Sequence, residues 1–134
     1  MPDQSHVGRH YGLFTHRVSE QDVGRYAAAV GIARLAGGPV PPIYAAVYCL
    51  RPVLTAVFQD ASLGIPPSGV IHSEQSLEWR GLVAVGDRLE AEGSISSVQV
   101  RRGLLFLELH VRAARSGRST VCSGRTVLLL RGGA

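Results

Sequence analysis

Ile43-Tyr44-Ala45-Ala46-Val47-Tyr48-Cys49-Leu50-Arg51-Pro52-Val53-Leu54-Thr55-Ala56-Val57-Phe58 is apolar on every side of a helical wheel, with Arg51 its only charge. A helix without a polar face has no side to turn to water, so it belongs inside the molecule and the rest of the chain must cover it. Pro42, just upstream, suits a first helical turn, because the N–H it lacks would have no partner there. Pro52 does not suit a helix interior: its ring clashes with the preceding turn and removes a hydrogen bond, which predicts a kink or break near Leu50.

The cover is legible downstream. Strands are expected over Gly69 to Arg80, Arg88 to Val100, Leu104 to Arg115 and Ser119 to Arg131. The turns between them are Gly81 to Asp87, Arg101-Arg102-Gly103 and Ser116-Gly117-Arg118, each containing glycine. In the third strand Leu105, Leu107, Leu109, Val111 and Ala113 alternate with Phe106, Glu108, His110 and Arg112, so one face packs on something apolar. Consecutive strands with short connections pair antiparallel. With a further strand near Tyr11 to Val18 they predict an α+β architecture, a curled antiparallel sheet of about five strands around the apolar helix.

Between the first strand and that helix, Ser19-Glu20-Gln21-Asp22 has capping-box spacing. Val23, Tyr26, Ala27 and Val30 follow at i, i+3, i+4 and i+7, and Gly31 is placed to end a surface helix of about three turns. Gly31 to Pro42 reads as a flexible connection; no strand leads into its glycines and no Gly-Lys-Ser/Thr follows, so it does not cradle phosphate.

Composition narrows the function classes. At 134 residues, with 46% hydrophobic and 18% charged residues, the chain is expected to be one globular domain over 1–134. All 14 basic residues are Arg, spread from Arg9 to Arg131, and only 6% of residues are aromatic, which argues against a nucleic-acid surface. Cys49 and Cys122 lie far apart in apolar stretches and read as small core residues, so neither a disulfide nor a metal site is expected. No cofactor is expected either. Met1 to Gly8 has no apolar leader core, and the run from Pro39 to Phe58 is interrupted by Arg51 and Pro52, so a soluble, cytoplasmic protein without a membrane partner is expected.

The order strand, helix, apolar helix, long strands resembles the hot-dog fold. Tyr11 through Val30 looks like the opening of MaoC-like dehydratase/hydratase domains, and Val85-Gly86-Asp87-Arg88-Leu89, after Ser76-Leu77-Glu78-Trp79-Arg80, is similar to that family's V-G-D-x-L turn. Catalytic members carry a G-D-x-N-P-x-H-like segment after the first helix, whose Asp and His handle the β-hydroxyl and the α-proton. Here that stretch reads Gly31-Ile32-Ala33-Arg34-Leu35-Ala36-Gly37-Gly38-Pro39; Ile32 stands where the Asp would be, and no histidine lies between His16 and His72. In pattern the chain resembles the non-catalytic, substrate-binding subunits of heterodimeric (R)-3-hydroxyacyl-ACP dehydratases, in which Pro-led apolar helices help to form the acyl channel.

That resemblance implies substrate contacts from Pro42, Ile43, Tyr44, Val47, Tyr48 and His72; Tyr44 and Tyr48, one helical turn apart, could place hydroxyls at the mouth of an acyl tunnel or be core aromatics with satisfied hydroxyls. For acid/base work the remaining candidates are His72 and Glu74, expected on one strand face with Ser73 and Gln75 nearby; the alternative for His72 is a structural role. His110 is expected in solvent, and His6, His10 and His16 lack metal-ligand spacing. The arginines of Arg101-Arg102-Gly103 could meet the phosphate of a carrier arm or nucleotide, or be merely solvated.

The leading expectation is a component of a 3-hydroxyacyl-thioester dehydratase or enoyl hydratase, a hydro-lyase of fatty-acid or polyketide biosynthesis. The substrate would be an acyl thioester on ACP or CoA, and a dyad-bearing hot-dog subunit would complete a heterodimer or heterotetramer, this chain alone being inactive. The alternatives are a homodimeric dehydratase or thioesterase working through His72 and Glu74, and a non-enzymatic acyl-thioester binding protein.

Overall fold

The apolar segment folds in three short pieces: a 3-10 turn, Pro42–Tyr44, a π-helical turn, Ala46–Leu50, and the α-helix α2, Arg51–Gln59. Pro52 falls in the first turn of α2, where its missing N–H breaks no bond, and the widened turn ending at Leu50 absorbs the interruption. Tyr44, Tyr48, Cys49, Val53 and Val57 are buried. Contrary to what its composition predicts, the segment is not covered on every side: Ile43 and Phe58 are each 44% exposed, because the sheet lies against one side and the flanks border two cavities.

This computed structural model describes residues 1–116 and 119–131; Gly117 and Arg118, in the expected turn after Ser116, lie outside the described residues. Five strands form one antiparallel sheet: β1 (His10–Arg17), β2 (Val70–Trp79), β3 (Arg88–Arg101), β4 (Leu104–Arg115) and β5 (Thr120–Arg131), in the order β1-β3-β4-β5-β2. The β3–β4 hairpin turns on Arg102 and Gly103, with φ of 51° and 77°, a two-residue turn of the twist that flanking strands require. Its Arg101 lies over the Phe106 ring, 5.6 Å from the centroid.

β2 corrects the expected pairing. It does not lie beside β3 but across the sheet against β5. Residues 80–87 make this crossing: Arg80 N–H donates to the Val121 carbonyl (2.8 Å), and Gly86, at φ 97°, donates to that of Val18 (2.8 Å). Asp87 ends the segment by accepting from the Ala84 N–H (2.9 Å) and from Arg115 (3.2 Å), so the V-G-D turn is built by its own side chain.

The core lies between sheet and helix. Leu89, Ala91 and Ile95 of β3, Leu105, Leu107, Leu109, Val111 and Ala113 of β4, and Leu128 and Leu130 of β5 point at the central segment. Cys49 and Cys122, distant in sequence, meet in this core; both thiols are free and buried, and hydrogen bonding to Cys122 together with burial pushes the Cys49 thiol up.

Helix α1, Glu20–Val30, begins with the Ser19 hydroxyl accepting from the Asp22 N–H (3.1 Å) and ends at Gly31, φ 77°. Val23 and Ala27 are buried while Val30 is 49% exposed, so the packed stripe is one turn shorter than the apolar spacing. The glycine-rich connection that follows is no loose tether. Arg34 forks onto Glu20 (Nη2–Oε1 3.0 Å) and donates to the carbonyls of Gly38 (2.8 Å) and Pro39 (3.1 Å), while the Gly37 N–H donates to Glu20 (2.9 Å). The Arg34 guanidinium and the Gly37 N–H hold the Glu20 carboxyl down at about 2. Among the described residues no helix is long and apolar enough to cross a membrane.

Candidate functional site

Two cavities flank the central helix. The first, about 480 Å³, lies under β2; it is lined by Leu54 and Phe58 of α2, Ile65, Pro66 and Pro67 of the connection after it, Val70 and His72 of β2, and Leu128 of β5. His72 is its one polar side chain, and its Nε2 lies 2.9 Å from Gln75 Oε1. An apolar slot with a single polar group suits an acyl chain and supplies no carboxylate.

Glu74 is not part of this slot. The β2–β5 register shifts between His72 and Glu74, and a bulge of one residue reverses which face the following side chains occupy. His72 pairs with the inward Leu128, whereas Glu74 pairs with Val127 and turns to the outer face, where Arg125 binds it (3.2 Å). The two-residue spacing that suggests a shared face therefore fails at Ser73. Ser73 itself donates to the Val127 carbonyl (3.3 Å).

Nor do the helix residues expected around the acyl group come together with His72. The Pro42 carbonyl accepts from Trp79 Nε1 (2.9 Å), the Ile43 carbonyl accepts from the Tyr26 hydroxyl (3.1 Å), and Tyr48 is sealed in the core beside Cys122. Tyr44 and Val47 line the second cavity instead.

That cavity, about 700 Å³, opens between β1, α1 and α2. It holds a residue the sequence reading set aside: His16, whose Nε2 lies 2.9 Å from the Tyr44 hydroxyl oxygen. The signal was parity, since His16 shares its strand face with Phe14 of the same cavity and sits two residues from the buried Val18. Burial pushes the His16 imidazole below its ordinary value, against the pull of Asp22 and with the push of Arg51. Burial and then Asp22 push the Tyr44 phenol up to about 12.

A pH dependence follows. The folded chain takes up the His16 proton at lower pH than the unfolded chain, whose imidazole titrates near about 6.5. As pH falls through the interval between the two values, the unfolded state binds more protons and stability drops; above that interval His16 adds no slope. Urea midpoints at pH 7.5 and 5 are expected to fall further for the native chain than for His16→Gln. Equal falls would show that the imidazole is not held neutral.

Residues 5–118 match the family model described as FAS1-like, dehydratase domain region. The chain belongs to this family. A UPF0336 protein of Saccharopolyspora erythraea is 26% identical to it over 144 residues, spanning 97% of this chain and 92% of that protein. Among solved structures, the C-terminally truncated HadBC (3R-hydroxyacyl-ACP dehydratase) complex of Mycobacterium tuberculosis matches with a TM-score of 0.70 at 17% identity, over 92% of this chain and 96% of that one. The (R)-hydratase of A. caviae involved in PHA biosynthesis matches with a TM-score of 0.62 at 25% identity, over 96% and 99%. The fold of this FAS1-like dehydratase-region chain is thus the MaoC-like hot-dog fold. Where the resemblance locates a catalytic Asp and His, the chain has the Glu20–Arg34 pair and the backbone folded about it.

Proposed function

We propose that this chain is the groove-bearing component of a 3-hydroxyacyl-thioester dehydratase, run in reverse as an enoyl hydratase, with the acid/base pair supplied by a second hot-dog subunit. The observation that carries the reading is the cavity under β2, lined among the described residues by seven apolar side chains, one imidazole and no carboxylate. Dehydration removes an α-proton and expels the β-hydroxyl as water; an Asp/His pair divides these two transfers, whereas a lone imidazole would have to serve both in turn. The absent Asp/His segment supports the same reading, as does the likeness to the HadBC dehydratase complex.

β2 also supports a partner. Among the described strands it is hydrogen-bonded only to β5, and Ile71 and Trp79 on it are 58% and 41% exposed. A strand with a free edge and exposed apolar side chains is a template for pairing. A second hot-dog sheet added there would roof the cavity and bring its dyad to the mouth, where an acyl thioester on ACP or CoA would enter. Such a complex would belong to fatty-acid or polyketide synthesis in the cytoplasm.

A second reading rests on His72, the one titratable group facing the slot: a self-paired enzyme using it as base. One experiment separates the two. The chain alone is expected to leave crotonyl and longer enoyl thioesters unhydrated, and co-purification with a dyad-bearing hot-dog protein is expected to restore hydration, followed as loss of enoyl absorbance. Full activity of the chain alone, abolished by His72→Ala, would replace the first reading with the second.

A further inference from the structure

The polar residues of the central helix are not scattered. Arg51, Thr55 and Gln59 recur every four residues, form a single stripe, and all line the cavity between β1, α1 and α2. Facing them from α1 are Asp22, Arg25 and Tyr26, again one helix face. These two polar faces border an open cleft of about 700 Å³, a volume within the usual range for a small ligand.

Two cations border it without a carboxylate partner. Neither Arg25 nor Arg51 has a carboxylate within ion-pair distance among the described residues, which they share with Arg17, Arg88, Arg101, Arg102 and Arg131; what sets these two apart is that both line one cavity. Against these two cations stand Asp22 and a neutral His16, which leaves one net positive charge. Phe14, Val47, Pro52 and Ala56 add an apolar wall, and the His16–Tyr44 pair offers a hydrogen-bonding floor.

We propose that this cavity binds a small carboxylate with an apolar body, at a site separate from the slot under β2. A guanidinium fork fits a carboxylate, one net charge matches a monoanion better than a phosphate dianion facing Asp22, and the wall takes the hydrocarbon. The site does not depend on the thioester reading, because the only lining element the two cavities share is α2, through opposite flanks.

The test titrates octanoate into the full chain at pH 7.5, following imidazole resonances by NMR and affinity by calorimetry. Saturable binding is expected to move the His16 signals and leave those of His72 in place. Arg51→Gln and Arg25→Gln, both at exposed helix positions, are expected to weaken it at least tenfold each, and 1-octanol to bind at least tenfold more weakly than octanoate. Movement of His72 in place of His16, undiminished affinity in Arg51→Gln, or inorganic phosphate competing as well as a second carboxylate would each overturn the proposal.

Discussion

Replacing Gly93 by valine is expected to lower the unfolding free energy by more than about 3 kcal/mol, and replacing it by alanine by about 1–3 kcal/mol, the range for overfilled cores. Gly93 sits on the helix side of β3, opposite Val111 of β4, where Val53 of α2 packs against the strand. A β-carbon there would lie 2.6 Å from Val53 Cγ1 and 2.9 Å from the His110 carbonyl oxygen. Val53 is wholly buried and the carbonyl belongs to the β3–β4 ladder, so no rotamer change relieves both contacts. For a domain whose total stability is on the order of 5–15 kcal/mol, the valine variant approaches unfolding at ambient temperature. Urea denaturation checks the magnitude, and a double-mutant cycle checks the cause. Val53→Ala removes one of the two clashes, so Gly93→Ala should cost less in its presence than alone. Additive effects, or a cost below about 0.5 kcal/mol for Gly93→Ala, would mean that the helix is not seated on this glycine.

What the sequence made legible follows from which forces act locally. The apolar run over Ile43 to Phe58 announced the helix at the centre, and Pro52 announced an interruption near Leu50, which the chain takes as a change from π- to α-helical turns, because burial and a missing N–H act wherever they occur. Alternation fixed β4 to the residue, Leu104–Arg115. The place of β2 was not readable: residues 81–87 have the composition of a hairpin turn, and only packing of the whole sheet decides that β2 crosses to β5. The His72/Glu74 pairing failed for a related reason. Parity along a strand is reliable until a bulge interrupts it, and nothing about Ser73 distinguishes a bulged serine from a regular one. His16, by contrast, was available to the same parity reasoning that served β4. The stripe of Arg51, Thr55 and Gln59 is legible too, since a spacing of four places them on one side of the helix.

In the complex reconstituted with a dyad-bearing subunit, Leu54→Trp is expected to shorten the usable acyl chain. Leu54 lines the slot under β2 together with Phe58 and Val70, so an indole there fills space that a long chain would occupy. Each methylene excluded from an apolar site forfeits about 0.8 kcal/mol, roughly a factor of four. Displacing three or four of them lowers kcat/KM for a dodecenoyl thioester by on the order of 100-fold. A crotonyl thioester, whose short chain would end before the slot on the proposed reading, should change by less than about threefold, since a neighbour that does not touch the reacting atoms removes only binding that the longer substrate uses. Ala56→Trp is the matched control: the same helix and the same added bulk, but facing the cavity of His16 and Tyr44, where it should leave the ratio of long-chain to short-chain activity unaltered. Equal losses on both substrates in Leu54→Trp, or a shift in chain-length preference in Ala56→Trp, would move the acyl chain out of the slot and into the other cavity.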